Sequence, residues 1–159
     1  MTVARFEHVS TAQYARDMNF LGAMMVEDIP LPRRATRGSA GYDFTCPAEV
    51  TLAPGEQAVV PTGVRVHIEP GWVLLNVPRS SLGRRHGIRL ANTVGVIDSD
   101  YYGADNEGHI LVMLVNGGDH TVTISRGERF CQGILVPFGL AEEEDVAGVR
   151  SGGFGSTGA

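Results

Sequence analysis

Two carboxylates and a tyrosine stand close together after a short apolar stretch in the middle of the chain. The sequence Gly95-Val-Ile-Asp98-Ser-Asp100-Tyr101 separates the two acids by one residue. In an extended chain such neighbours point to opposite faces, so one acid can face a pocket while the other makes structural contacts. A carboxylate in a pocket can activate water as a general base, and the neighbouring ring can pack on a ligand. The same residues could also form an ordinary polar end of a hairpin.

An arginine and two serines form a second group that could bind a ligand. Arg79, Ser80 and Ser81 follow Pro78, where a strand is predicted to lead into a short helix. Backbone amides at the start of a helix, together with hydroxyl and guanidinium groups, can surround an anion. An ordinary helix N-cap is the alternative interpretation.

The last residues of the chain have a composition of their own. Five of the final twelve are glycine, and they surround Arg150, Phe154, Ser156 and Thr157. Such a segment cannot bury enough apolar surface to fold by itself, so a disordered terminus is one interpretation. The other is a lid that becomes ordered around a ligand, with a guanidinium for phosphate, a ring for stacking and hydroxyls for an anion. The glycines also match G-x-G-x-x-G, but no parallel-sheet pattern precedes them and no helix can begin there, which excludes a dinucleotide fold.

Composition excludes several other kinds of active site. All 13 lysine-or-arginine residues are arginine, so a Walker A lysine and a lysine nucleophile are both absent. The five histidines lack the spacing of a zinc site, and no G-x-S-x-G sequence marks a serine nucleophile. A phosphate bound by a cationic side chain must therefore be bound by arginine.

Short strands separated by turns must position these residues. From Gly41 onward, β-prone runs alternate with glycine- and proline-containing turns, a spacing typical of a sandwich or barrel. The predicted strands are Phe44–Cys46, Glu49–Leu52, Gln57–Pro61, Val64–Ile68, Trp72–Val77, Ile88–Leu90, Val94–Ile97, Ile110–Val115, Thr121–Ile124 and Phe130–Phe138. Before them, residues 3–9 are predicted to form a strand, and Ser10-Thr11 could cap a short helix that ends near Met18. One short internal helix is predicted over Ser80–Arg85.

Length and charge limit the organisation of the protein and its partners. A chain of 159 residues is expected to form one domain, predicted over residues 1–140, with an acidic linker and a flexible lid over 141–159. The net charge of −5 falls to −1 outside the run Glu142-Glu143-Glu144-Asp145, so we expect no nucleic-acid partner. No apolar run approaches the roughly 20 residues of a membrane span, and no signal peptide is recognised. With two cysteines 85 positions apart, we expect a cytoplasmic protein with reduced, buried thiols.

Five short motifs, taken in order along the chain, resemble those of the trimeric dUTPase family. They are Ala40-Gly41-Tyr42-Asp43-Phe44, Pro78 to Gly83, Asn92 to Gly103, Gly127-Glu128-Arg129-Phe130-Cys131-Gln132-Gly133, and Arg150 to Gly158. The resemblance covers residues 30–159 and implies an all-β, jelly-roll-like β-clip subunit. It also implies a homotrimer whose active sites lie between subunits. The implied reaction is Mg²⁺-dependent hydrolysis of dUTP to dUMP and pyrophosphate, which limits uracil in DNA and supplies dUMP for thymidylate synthesis.

The resemblance assigns a role to individual residues. Asp98 would activate the water that attacks the α-phosphorus, and Tyr101 would pack under the deoxyribose and exclude a 2′-hydroxyl. Asn92, with the backbone of Gly95, Val96 and Ile97, would bind the uracil edge. The phosphates would be bound by Arg79, Ser80, Ser81 and Gln132. Mg²⁺ would be held mainly by the substrate phosphates, with Asp43 acting through water. From the tail, Phe154 would stack over uracil, and the phosphates would be contacted by Arg150, Gly155, Ser156 and Thr157.

Three features depart from the family pattern. Residues 104–108 form an apparent insertion after Tyr101-Tyr102-Gly103, residues 1–28 extend beyond the compact pattern with no evident task, and Cys131 replaces a smaller residue. Two other functions are alternatives to dUTP hydrolysis. A dCTP deaminase would need a carboxylate on the strand after the hairpin, but Ile110–Val115 has none, although Glu107 is nearby. A nucleotide-binding regulator that acts on a protein partner is the other rival.

Overall fold

Alternation of buried and less buried residues marks several of the short strands. In Val50–Leu52, Val64–Ile68 and Ile88–Leu90, every second side chain is apolar and buried, and the residues between are exposed or half-buried. This period of two is expected of a strand that covers a core with one face only.

The computed structural model describes residues 1–142 and residue 152. The strands are β1 (Ala4–His8), β2 (Arg33–Arg34), β3 (Tyr42–Thr45), β4 (Val50–Leu52), β5 (Gln57–Pro61), β6 (Val64–Ile68), β7 (Trp72–Pro78), β8 (Ile88–Leu90), β9 (Gly95–Ile97), β10 (Leu111–Asn116), β11 (Val122–Ile124) and β12 (Arg129–Pro137). The α-helices are α1 (Thr11–Asp17) and α2 (Ser80–His86), and the short 3-10 helices are Val26–Asp28 and Ser99–Gly103.

The strands form four antiparallel sheets, and the largest carries most of the predicted site. Its order is β2-β3-β12-β7-β9, so the long strand β12 lies in the middle. A second sheet has the order β5-β10-β8, and the pairs β1-β6 and β11-β4 complete the described part. The all-β prediction is confirmed, as are both predicted helices. The two-residue strand β2 and the 3-10 helices were not predicted.

One large core lies between the sheets and contains both cysteines. Its largest fully buried side chains include Phe44, Phe130 and Leu74. Cys46 and Cys131 are free and buried. Burial raises the pKa of Cys46 to about 12 and raises the pKa of Cys131 as well. Both groups are therefore neutral thiols at neutral pH, and Cys131 is a packing residue.

The N-terminal segment is an integral part of the fold. Strand β1 pairs with β6 from Ala4 opposite Ile68 to His8 opposite Val64. Helix α1 then begins after Ser10, whose side chain accepts a hydrogen bond from Gln13 N at 3.1 Å. A small second core, formed by Val9, Tyr14, Val26 and Ile29, lies beneath this helix.

Strand β12, the last in the described part, ends at Pro137, and Phe138 N still donates to Gly71 O at 3.0 Å. The domain boundary at residue 140 stays a prediction. Within the described residues, no helix combines the length and the apolar character needed to cross a membrane.

Candidate active site

The central position of β12 brings three of the predicted motifs together. In the register of this sheet, Gln132 lies opposite Asp43 of β3 on one side and opposite Val77 of β7 on the other. Arg79 follows directly after β7, and its backbone N–H donates to Phe130 O at 3.2 Å. The side chains of Asp43, Arg79, Arg129 and Gln132 therefore belong to one region, called the arginine cluster below.

Asp43 is the shared acceptor of the arginine cluster. Its carboxylate lies 3.3 Å from Arg79 Nε and 3.0 Å from Arg129 Nη1, and its side chain is only 9% exposed. Arg79 Nη1 also donates to the Arg129 carbonyl at 3.3 Å. Two guanidinium groups are thus fixed beside one carboxylate, which leaves a net positive charge for an anionic ligand.

Arg129 belongs to the fourth motif, but the sequence alone predicts no role for it. Its contact with Asp43 joins residues 86 positions apart. Only the pairing of β3 with β12 reveals it, because no local pattern encodes such a contact.

The absence of a side chain at Gly41 leaves room for the side chain of Gln132. A Cβ atom on Gly41 would lie 2.1 Å from Gln132 Oε1 and 3.0 Å from Gln132 Cδ. No side chain larger than hydrogen fits at position 41 while the amide of Gln132 stays where it is. The first and fourth motifs are therefore in direct contact.

The two serines of the second motif lie in the first turn of α2 and are exposed. The N-cap of this helix is Arg79, and it makes no side-chain capping bond. Neither Ser80 nor Ser81 therefore caps the helix, which argues against the ordinary N-cap interpretation. Leu82 anchors the helix in the core.

The third motif, expected to be a hairpin, forms a turn between β8 and β9, and β9 is the edge strand of the same sheet. Gly95 of β9 lies opposite Asn76 of β7, and a Cβ atom on Gly95 would be 3.2 Å from Asn76 Cβ. Before the strand, Thr93 has a φ of 67°, a left-handed conformation that is rare for a β-branched residue and costs of order 1–3 kcal/mol. Asn92 and Val96 are exposed beside it. Strain of this kind is characteristic of binding loops.

Tyr101 lies on the short 3-10 helix that follows β9, and Asp98 is the N-cap of that helix. Asp98 is exposed, whereas Tyr101 is buried. Tyr101 N donates to Asp98 O at 3.2 Å, and the Tyr101 hydroxyl donates to His109 O at 2.7 Å. The two predicted residues are thus held in a fixed relation to each other. Asn92, Asp98 and Tyr101 are called the hairpin cluster below.

A single chain keeps the two clusters apart. Ile97 of β9 lies opposite Leu74 of β7. Asp98 follows Ile97, toward the start of β7, because the two strands are antiparallel. Arg79 follows the other end of β7, five residues after Leu74. At about 3.3 Å per residue the separation along β7 is roughly 20 Å. Reacting groups must approach within about 3–3.5 Å, so the separation of the two clusters in one chain is several times larger than a reaction requires.

The described residues offer no enclosed metal site. No group of three or more His, Cys, Asp or Glu side chains among them could hold a metal ion, and both oxygens of Asp43 already face arginines. Mg²⁺ is often bound by one or two carboxylates, several waters and substrate phosphates. The donor set fits that mode of binding.

Five residues assigned to the site lie outside the described part of the chain: Arg150, Phe154, Gly155, Ser156 and Thr157. Their roles stay predictions. Asn76 is a residue that the sequence did not single out. It is 2% exposed, and its Oδ1 has no hydrogen-bond partner among the described residues.

A family model described as dUTPase matches residues 27–158. The deoxyuridine 5′-triphosphate nucleotidohydrolase of Lactococcus lactis is 46% identical over 134 residues, which cover 82% of this chain and 89% of that protein. The crystal structure of a dUTPase from Streptococcus mutans is 38% identical, with a TM-score of 0.70 over 86% of this chain and 98% of that one. A mutant dUTPase of Staphylococcus aureus phage phi11, described with a structural Mg(II) ion, shares the fold at 21% identity, with a TM-score of 0.68 over 92% of this chain and 98% of that one. From these matches, the chain belongs to the dUTPase family.

Proposed function

We propose that this protein hydrolyses dUTP to dUMP and pyrophosphate by attack of water on the α-phosphorus. The observation that carries the proposal is the pair of complementary half-sites. One is an arginine cluster suited to a polyphosphate. The other is a strained turn at Thr93, followed by β9 and the exposed carboxylate of Asp98. Family membership supplies the substrate, since the curated relative from Lactococcus lactis is a deoxyuridine 5′-triphosphate nucleotidohydrolase.

Asp98 is proposed to activate the attacking water. It is exposed at the end of β9, so a water molecule can reach it. Arg79, Ser80, Ser81 and Gln132 are proposed to bind the phosphates, where guanidinium and hydroxyl donors neutralise the charge that phosphoryl transfer develops. Mg²⁺ would be held mainly by the substrate phosphates, with Asp43 acting through water, and would supply further charge neutralisation when bound.

The hairpin cluster is proposed to select the nucleoside. Asn92 and the backbone of Gly95, Val96 and Ile97 would bind the uracil edge, and Tyr101 would exclude a ribose 2′-hydroxyl. A site that hydrogen-bonds one donor and acceptor pattern rejects the mismatched pattern of cytosine strongly, while the extra methyl of thymine is rejected by size. From the tail, Phe154, Arg150, Gly155, Ser156 and Thr157 would complete the site.

The protein is proposed to work in the cytoplasm as a homotrimer with active sites between subunits. The roughly 20 Å between the two clusters along β7 supports this, because a second chain must supply the missing half. Exposed apolar side chains at Val59, Val96 and Phe138 provide surface that subunit contacts would cover.

One rival is weakened by a specific contact. Glu107 was the nearest carboxylate for a dCTP deaminase, but both of its oxygens accept hydrogen bonds from Ser10, at 2.8 and 2.6 Å. The carboxylate is therefore already engaged by the N-terminal segment. Ammonia release from dCTP would nevertheless overturn the proposal.

The direct test follows pyrophosphate release from dUTP with Mg²⁺. We expect turnover by the unaltered chain and loss of turnover in Asp98→Asn, with nucleotide affinity largely retained. Near-normal turnover in that variant would refute the role of Asp98. Absence of turnover in the unaltered chain would favour a nucleotide-binding regulator.

A complementation experiment tests the shared site. Asp98→Asn and Arg79→Ala chains, each inactive alone, should regain activity when they are co-expressed, because a mixed assembly contains sites with both residues intact. A mixture that stays inactive although mixed assemblies form would place both residues in the same subunit's site and contradict the proposal.

A further inference from the structure

Two segments without an assigned task contact each other. Residues 1–26 precede the part of the chain that the family model matches, and residues 104–108 are the apparent insertion, called the inserted turn below. Ser10 N donates to Glu107 Oε2 at 2.8 Å, and Ser10 Oγ donates to Glu107 Oε1 at 2.6 Å. The hydrogen bond from the Ser10 hydroxyl lowers the pKa of Glu107, so the carboxylate remains charged at neutral pH.

The inserted turn completes the N-terminus of α1. The sequence Ser10-Thr-Ala-Gln13 has the form of a capping box, in which the fourth side chain returns to the N–H of the first residue. Here Gln13 Nε2 instead donates to Asp17 Oδ2 at 2.8 Å. The Ser10 N–H donates to Glu107 instead of to the side chain of Gln13. The N-cap residue Ser10 is thus itself bonded by a residue 97 positions away in the chain.

The other end of α1 holds a buried histidine. Asp17 Oδ2 lies 2.5 Å from Nδ1 of His109, whose side chain is fully buried. Nε2 of His109 accepts the N–H of Gly63 at 2.8 Å. Because Nε2 is an acceptor, the ring is neutral and carries its proton on Nδ1, which donates to Asp17.

The same histidine is bonded to the proposed sugar-binding tyrosine. His109 O accepts the Tyr101 hydroxyl at 2.7 Å, and Asn106 Nδ2 donates to that hydroxyl at 2.8 Å. Gly108 has a φ of 69°, and a Cβ atom there would lie 2.6 Å from Tyr101 O. The inserted turn therefore lies directly against Tyr101, three residues from Asp98.

We propose that Asp17, Glu107 and His109 are positioning residues that fix Tyr101 for the discrimination of deoxyribose from ribose. They join α1, the inserted turn and the 3-10 helix of the hairpin cluster into one unit, called the clamp. This inference rests on the proposed function of Tyr101. When a hydrogen bond of the clamp is lost, the ring of Tyr101 can move, so that a 2′-hydroxyl is no longer excluded.

The test compares dUTP with UTP on the same preparation of protein. Glu107→Gln and Asp17→Asn are the clamp variants, and Glu56→Gln is the control. Like Glu107, Glu56 accepts a hydrogen bond from a backbone N–H, that of Ala53 at 2.8 Å. It lies on a turn outside the clamp. The ratio of kcat/KM for the two nucleotides is independent of the fraction of folded protein, so a loss of stability alone does not change it.

We expect the clamp variants to lose about tenfold in this ratio, which corresponds to about 1.4 kcal/mol of discrimination, while the control stays within about twofold. Variants that melt earlier but keep the ratio would overturn the inference and leave a structural role only. If the unaltered chain fails to hydrolyse dUTP, the equilibrium dissociation constants for dUTP and UTP are measured without Mg²⁺ instead. Their ratio should then change by the same factor in the clamp variants. Failure of the proposed function and failure of the clamp are then separate results.

Discussion

Replacing Gly41 by alanine should weaken hydrolysis of dUTP while leaving the fold intact. The added Cβ atom would lie 2.1 Å from Gln132 Oε1, 3.0 Å from Cδ and 3.3 Å from Cβ of the same side chain. Real Cβ contacts essentially never fall under 3.0 Å. The amide oxygen must therefore move by about 1 Å, a displacement that can cost about 100-fold when it affects a positioning group.

The magnitude follows from the bond that Gln132 is proposed to make. A hydrogen bond to a charged phosphate is worth about 1.5–3 kcal/mol, so its loss should lower kcat/KM by about 10- to 150-fold. The free energy of unfolding should change by less than about 1 kcal/mol, because a flexible side chain can turn away and because alanine restricts the unfolded chain more than glycine does.

Steady-state pyrophosphate release and urea unfolding give the two measurements. Gln132→Ala supplies the control, since it removes the affected side chain. If Gly41→Ala acts through Gln132, adding it to Gln132→Ala should cause no further loss of kcat/KM. Two independent losses that multiply in the double variant would refute this reasoning, as would a large loss of stability in Gly41→Ala alone.

Three further changes have expected outcomes. Gly133→Ala should lower the free energy of unfolding by about 1–3 kcal/mol through overpacking, because the new Cβ would lie 2.8 Å from Leu74 Cδ1 in the core; a urea midpoint equal to that of the unaltered chain, at the same protein concentration, would contradict this. Burial lowers the pKa of His109 below its ordinary 6.5, so the unfolded chain takes up a proton at a higher pH than the folded one. Stability from this residue is therefore complete above pH 6.5 and declines as the pH falls below that value, and urea titrations should show a weaker decline in His109→Gln. A chain that ends at residue 142 should keep its melting temperature and lose most of its turnover, since every strand of the described part ends by Pro137. Marked destabilisation of this truncated chain would contradict the assignment of the tail as a lid.

Many strands were predictable because β-prone runs, some of them with alternating apolar and polar residues, are bounded by glycine and proline turns. Strands β5 and β6 begin and end at the predicted residues, and α1 begins after the predicted cap, Ser10. Strand β2 was missed because Arg33 and Arg34 are both exposed and carry no apolar alternation. Its position depends only on pairing with β3.

The residues of the candidate site could be predicted where they belong to short local motifs. Arg79, Asp98 and Tyr101 could be named from sequence, and their roles stay predictions. The contact of Asp43 with Arg129 depends on strand register over 86 positions. The contact of Glu107 with Ser10 joins the inserted turn to the N-terminal segment. Neither segment carries a local pattern that predicts a contact with the other.

The contact of Glu107 with Ser10, the N-cap of α1, has a consequence for the history of this chain. A relative that kept the inserted turn but lost α1 would expose the buried Nδ1 of His109, and one that kept α1 but lost the turn would leave the Ser10 N–H without its acceptor. Because each segment satisfies hydrogen-bonding groups of the other, the two segments should be gained or lost together. An alignment of relatives should treat them as one inherited unit, although 97 positions separate the residues that join them.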